Sequence, residues 1–97
     1  MIYHVTTKKQ WEDALVVGFF EEPSLHIEGF IHNSTNEQVA GVLERYYKNK
    51  TDLVLLHIEE ANLTAPLKYE LAASVNEMFP HIFGVINLEA VTKITDI

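Results

Sequence analysis

The sequence predicts an α+β fold with elements in the order β-α-β-α-β-β-β-β. Three observations carry this. Two segments with apolar residues at i, i+3, i+4 and i+7 fall in the first half of the chain, each behind residues that can cap a helix. Four strand-like segments fill the second half. Helices gathered early and strands late do not make the regular alternation of βαβ winding.

Each element has its local reason. Residues 2–5 open as a strand, and Thr7 with Gln10 fits a capping box for the helix behind it. That helix places Trp11, Ala14, Leu15 and Gly18 on one face, with Trp11 read as core and Gly18 as the stop. The connection 19–28 contains Glu21-Glu22-Pro23-Ser24; proline disfavours helix there and paired acids prefer solvent. Residues 30–33 read as the second strand. Ser34 and Thr35 both suit an N-cap, with Glu37 and Gln38 three residues beyond. The second helix buries Val39, Val42, Leu43 and Tyr46, and ends near Lys48-Asn49-Lys50, where bases suit the negative helix end.

Leu53 to Ile58 is the clearest strand. Apolar residues on both its faces predict a central strand covered on both sides. Residues 59–63 read as a turn or a short helical turn, and 67–71 as an extended piece after Pro66. Residues 72–78 fit a short helix or an irregular loop. The segment 79–84, bounded by Pro80 and Gly84, turns into a short strand. Residues 87–91 make a tight connection, and Val91 to Ile97 close the chain as a strand.

Ninety-seven residues fit one domain, 1–97, and 47% hydrophobic residues suffice for a core. There is no cysteine, so no disulfide supports the fold, and cytoplasm is the default expectation. The opening Met1-Ile2-Tyr3-His4 has neither a positive nor an apolar leader region, so no secretory signal is expected. The apolar run Leu53-Val54-Leu55-Leu56 is too short to span a bilayer, so no membrane partner is expected. The net charge of −7 argues against nonspecific nucleic-acid binding, which depends on a basic surface. Lys8-Lys9 and the Lys48/Lys50 pair read as solvated helix surface.

The chemistry concentrates in histidines. Strand alternation puts Ile2, His4 and Thr6 on one face of the first strand, and Phe30, His32 and Ser34 on one face of the second. A polar residue in mid-strand is either satisfied locally or lines a site. His4 and His32 each precede a helix start, so a pocket is expected where strand ends meet helix N-termini. His81 is the third. Each alone is explained by a local hydrogen bond; the three together point to a site able to donate, accept or shuttle a proton. Their spacings, 28 and 49 residues, match no metal-binding signature, so no metal is expected. Ser24, Ser34 and Thr35 carry hydroxyls, but no Gly-x-Ser-x-Gly elbow or phosphate-binding glycine loop occurs. Glu70 is a candidate carboxylate near the site. His57 reads as a core or edge residue and His26 as exposed.

Ile2-Tyr3-His4-Val5-Thr6, then Glu28-Gly29-Phe30-Ile31-His32-Asn33-Ser34-Thr35, then Tyr69-Glu70 and Phe79-Pro80-His81-Ile82-Phe83-Gly84 resemble the domain-of-unknown-function 952 family of small bacterial proteins, over essentially the whole chain. That family resembles in turn the ADP-ribosyltransferase superfamily, nearest the tRNA 2′-phosphotransferases. The resemblance implies two small, mainly antiparallel sheets with two helices around an NAD-type cleft. It implies an enzyme acting on NAD or an ADP-ribose-bearing substrate, with a small-molecule nucleotide as partner and NAD as substrate. A noncatalytic nucleotide-binding module, or an interaction domain with a vestigial cleft, is the alternative. By the resemblance His4, His32, Glu70 and His81 are the catalytic candidates, with His4 holding a ribose. Thr6, Ser24, Gly29, Ser34 and Thr35 are the ligand-binding candidates. The chain departs from the phosphotransferases in having one arginine, Arg45, where several are needed to hold an RNA 2′-phosphate. Removal of an RNA phosphate is therefore not expected. Glu70 is the one stand-in for the superfamily's glutamate, unless His81 takes its place.

Overall fold

Alternating apolar residues set the first strand, β1 (Ile2–Thr7), and a capping box turns it directly into helix α1 (Lys8–Val17). The Thr7 hydroxyl accepts from the Gln10 backbone N–H at 3.0 Å, and the Gln10 side chain accepts from the Thr7 N–H at 3.4 Å. Gly18 ends the helix in the left-handed region, φ 97°, donating to the Ala14 carbonyl. A computed structural model describes all residues, 1–97.

The expected irregular connection holds two elements instead. Strand β2 (Phe19–Phe20) comes first, then the short helix α2 (Pro23–Ile27). Proline starts this helix rather than preventing it. At the first helical position its fixed φ is already suitable, and its missing N–H would have had no partner. Strand β3 (Ile31–His32) is shorter than the predicted 30–33. Thr35, not Ser34, forms the next cap: its N–H donates to the Gln38 side chain at 3.0 Å. A single 3-10 turn, Asn36–Gln38, leads into helix α3 (Val39–Tyr46).

The second half follows the expected order more closely. Strand β4 (Leu53–Ile58) is followed by a short 3-10 turn, Glu60–Asn62. Strands β5 (Leu67–Ala72) and β6 (Glu77–Ile82) form a hairpin. Residues 72–78 are therefore neither helix nor irregular loop but two strand ends and a tight turn, with Asn76 at φ 54°. Strand β7 (Ile86–Asn87), a turn at Leu88–Ala90 and strand β8 (Val91–Asp96) complete the chain.

The fold is α+β, with three helices and three antiparallel sheets rather than two of each. The sheet orders are β1-β4-β8, β2-β7 and β3-β6-β5. β4 is central as expected, but its two faces are unequally covered. Val54, Leu56 and Ile58 enter the core, while on the other face Leu53 is buried and Leu55 and His57 stay half-buried. The core takes Ile2, Leu56 and Ile58 from the first sheet, Phe20 and Ile86 from the second, and Ile31 and Ile82 from the third. Each such side chain contributes about 1.5–3 kcal/mol of burial.

The helices bury less than their spacing predicts. Only Ala14 of α1 is buried, Trp11 packs partly against the core, and Leu15 is 57% exposed. α3 buries none of its residues fully: Val39, Val42 and Leu43 are half-buried and Tyr46 is exposed. Sheets of two or three strands offer too narrow a surface to cover a whole helix face. No helix is long and apolar enough to cross a membrane.

Candidate functional site

The first and third sheets meet at one isolated bridge. Tyr3 and Ser34 exchange two backbone hydrogen bonds of 2.8 Å. At this seam, beneath α3 and the β5–β6 turn, lies a cavity of about 480 Å³. His4, His32, Asn33, Ser34 and His81 give it polar walls; Val42, Tyr47, Val75 and Phe79 give it apolar ones.

His4 is buried in mid-β1. Its Nδ1 donates to the His32 carbonyl, and its Nε2 lies 2.7 Å from Glu22 Oε1. Both ring nitrogens thus face acceptors inside the protein. Glu22 was expected in solvent with Glu21. Its side chain is instead only 15% exposed, because β2 and α2 fold it back onto β1. Gln10 Nε2 donates to its second oxygen at 3.1 Å, while Gln10 Oε1 accepts from Thr6 at 2.7 Å. Burial pushes the Glu22 carboxyl up; hydrogen bonding and charge from His4, with help from Gln10 and Thr6, outweigh it and hold the group below its ordinary value. Glu22 in turn raises the Tyr47 phenol, after burial, which is the larger cause.

With both nitrogens engaged inside the protein, His4 has none left free for a ribose, the role the resemblance implies for it.

His32 and His81 stand directly opposite each other across the β3–β6 pair, with ring centroids 5.2 Å apart. His81 is buried, and Phe30 stacks on it at 4.1 Å and 16°. Its Nδ1 donates to Glu70 Oε1 at 2.7 Å. His32 is exposed, and its Nε2 donates to Glu28 Oε2 at 2.7 Å. A carboxylate on one ring nitrogen leaves the other free. His81 Nε2 and His32 Nδ1 accordingly make no hydrogen bond within the chain.

The remaining candidates scatter. Ser34 lines the cavity. Thr6 is buried in the Gln10 network, Ser24 donates to the Phe30 carbonyl at 3.0 Å, and Thr35 caps the 3-10 turn. Gly29 sits at φ 89°, turning the chain from α2 into β3. Glu70 lies behind His81 and is not part of the cavity wall. His57 is half-buried on the open face of β4, edge-on to Tyr3; burial, then the Lys93 charge, lower it below its ordinary value. His26 is exposed beside Glu21. Each site histidine has its own carboxylate, and no three His, Asp or Glu side chains converge as metal ligands would.

The sequence reading also passed over Asn33. It is buried, its Nδ2 donates to the Ile31 carbonyl at 2.9 Å, and its Oδ1 has no partner. The available signal was its place between His32 and Ser34, at the end of a strand.

Comparison with known proteins agrees with this geometry at the level of family and fold. No curated protein matches the chain. The crystal structure of CC0527 from Caulobacter crescentus is 30% identical, with a TM-score of 0.88, covering 98% of this chain and 83% of that one. A crystal structure of a double mutant of CC0527 matches at 29% identity with the same TM-score and coverage. Its solution NMR structure matches at 30% identity and a TM-score of 0.83, over 98% of this chain and 82% of that one. The family described as "Protein of unknown function (DUF952)" matches residues 5–94, nearly the whole length, and the chain belongs to that family.

Proposed function

We propose that this domain binds NAD or another ADP-ribose-bearing nucleotide in the histidine-lined cavity and acts on it at the ribosyl bond. One observation carries the reading: His4, His32 and His81, from three strands, converge on a single cavity, each held by a carboxylate at 2.7 Å. An imidazole oriented by a carboxylate is a fixed-tautomer donor or acceptor suited to proton transfer. His32 Nδ1 and His81 Nε2 supply the groups that meet the ligand, and Ser34 adds a hydroxyl. The Glu22–His4 pair supports them from beneath. Glu70 orients His81 and shares its developing charge.

A second reading, binding without turnover, is favoured by the position of Glu70. It stands outside the cavity wall, so no carboxylate faces the place where a ribosyl cation would form. Incubation with NAD, followed by chromatographic measurement of released nicotinamide, separates the two. Release that His81→Asn abolishes supports the enzyme. Saturable binding without release leaves the binding module, and absence of both overturns the proposal.

A further inference from the structure

One sheet edge of the molecule is long, regular and open. The edge of β1 is engaged at Tyr3 by Ser34, and β8 is interrupted by a register shift opposite His57 and Ile58. β5 pairs with β6 without a break from Leu67 to Ala72, and no strand lies on its other side. This pairing fixes which backbone groups are free. The Pro80 carbonyl accepts from Asn33, so Pro80 turns away from β5, and Tyr69 opposite it turns away from β6. By the alternation of an antiparallel ladder, Leu67, Tyr69 and Leu71 all aim their N–H and C=O groups outward, where they make no hydrogen bond within the chain. Such an edge is a template for another strand.

The side chains select which strand. Leu67-Lys68-Tyr69-Glu70-Leu71 reads alike in both directions, except that its two charges exchange. Two copies laid antiparallel about a two-fold axis at Tyr69 therefore set Leu67 against Leu71, Tyr69 against Tyr69, and Lys68 against Glu70. The leucine and tyrosine positions become hydrogen-bonded pairs that use every outward group. Lys68 and Glu70 become non-hydrogen-bonded pairs, in which opposed side chains stand closest and opposite charges attract. Both charges have capacity for this. Lys68 makes no ion pair within the chain, its Nζ lying 5.4 Å from the centroid of the Phe83 ring. Glu70 is 43% exposed and uses only Oε1 on His81. On the opposite face the exposed Tyr69 and Leu71 gain cover in the same step.

We propose that the chain pairs with a second copy of itself through β5, joining two three-stranded sheets into one of order β3-β6-β5-β5-β6-β3. Each copy then receives the partner's Lys68 beside Glu70, the carboxylate that orients His81, so the support of one cavity wall is completed from across the two-fold axis. This pairing is independent of the nucleotide reading.

The test is sedimentation velocity of the full chain from about 10 μM to about 1 mM, a range that covers weak association. Salt of about 0.15 M screens the general repulsion between two acidic copies. The mass is expected to double with concentration. Amide hydrogen exchange of the wild-type chain at both ends of the range locates the contact: Leu67, Tyr69 and Leu71 should gain protection together, while Lys68 and Glu70, already bonded to β6, should change little. Lys68→Glu and Glu70→Lys each oppose like charges and should each sediment as monomers. Mixed in equal amounts they restore opposite charges at both pairs and should associate. Tyr69→Pro removes an outward N–H that β6 does not use, so it should block pairing in a chain whose NMR spectrum remains that of a folded domain. A wild-type chain that stays monomeric at the highest concentration overturns the proposal. So does a dimer whose Leu67, Tyr69 and Leu71 amides remain unprotected, one that Lys68→Glu and Tyr69→Pro leave intact, or a charge-variant mixture that associates no better than its components.

Discussion

Glu22 Oε1 lies 2.7 Å from His4 Nε2, with the two side chains 15% and 7% exposed. The contact ties the turn between β2 and α2 to the middle of β1, and through the His4 Nδ1 bond it reaches the His32 carbonyl of β3. A single imidazole therefore links three segments around the cavity.

Replacing the Glu22 carboxylate takes away the buried partner of His4 Nε2. Glu22→Gln is expected to destabilise the domain by roughly 3 kcal/mol, in the range for breaking a buried pair from one side. Urea unfolding followed by tryptophan fluorescence measures this; an unchanged midpoint would refute the pair's structural role.

The same carboxylate sets an acid limit. Its folded value lies below the ordinary 4.5, so the unfolded chain binds the proton more readily. Its contribution is fully present above that ordinary value and is lost as pH falls through the lowered one. Stability should drop below pH 4.5, with a smaller drop in Glu22→Gln. His57, held below its usual 6.5, acts in the same sense: protonating it as pH falls below 6.5 disfavours the folded state. Urea midpoints across the acid range test both, with His57→Gln isolating the second.

His32 and His4 should respond oppositely to truncation. His32 is exposed, so His32→Ala should change stability by less than about 0.5 kcal/mol while weakening ligand binding. His4→Ala orphans Glu22 and the His32 carbonyl and should cost roughly 3 kcal/mol. Paired unfolding and NAD titrations check this contrast; equal destabilisation by the two changes would contradict it.

Two glycines are sensitive for different reasons. A Cβ on Gly84 would stand 2.8 Å from the Cβ of Ala65, so Gly84→Ala should overpack the site and cost about 1–3 kcal/mol. Gly18 has free space around it but a φ of 97°, so Gly18→Ala should cost about 1 kcal/mol through backbone strain alone. Adding Ala65→Gly should rescue the first and not the second, as read by thermal midpoints.

What the sequence made legible follows physical range. Thr7, Gln10, Gly18, Thr35 and Gln38 act within one helical turn, and their roles were readable or nearly so. β4 was readable because its residues are apolar whatever it pairs with. Leu15 and Tyr46 misled because helical spacing shows which face is apolar, not whether a partner surface exists to cover it. Pro80 read as a strand boundary, yet it lies inside β6. Its carbonyl, and therefore its nitrogen, faces Asn33 just past the two-residue β3, where the missing N–H interrupts no ladder. His4, His32, Ser34 and His81, all of which line the cavity, were legible as candidates because polar groups in mid-strand need a reason. Glu22, Glu28 and Asn33 were not, since the partner or the vacancy that gives each its meaning exists only after folding.

The Tyr3–Ser34 bridge joins the first and third sheets through two backbone hydrogen bonds. Those amides form a rivet whose state can be timed. Their hydrogen-exchange rates report directly how often the two sheets part, and a ligand that grips both walls must slow them together.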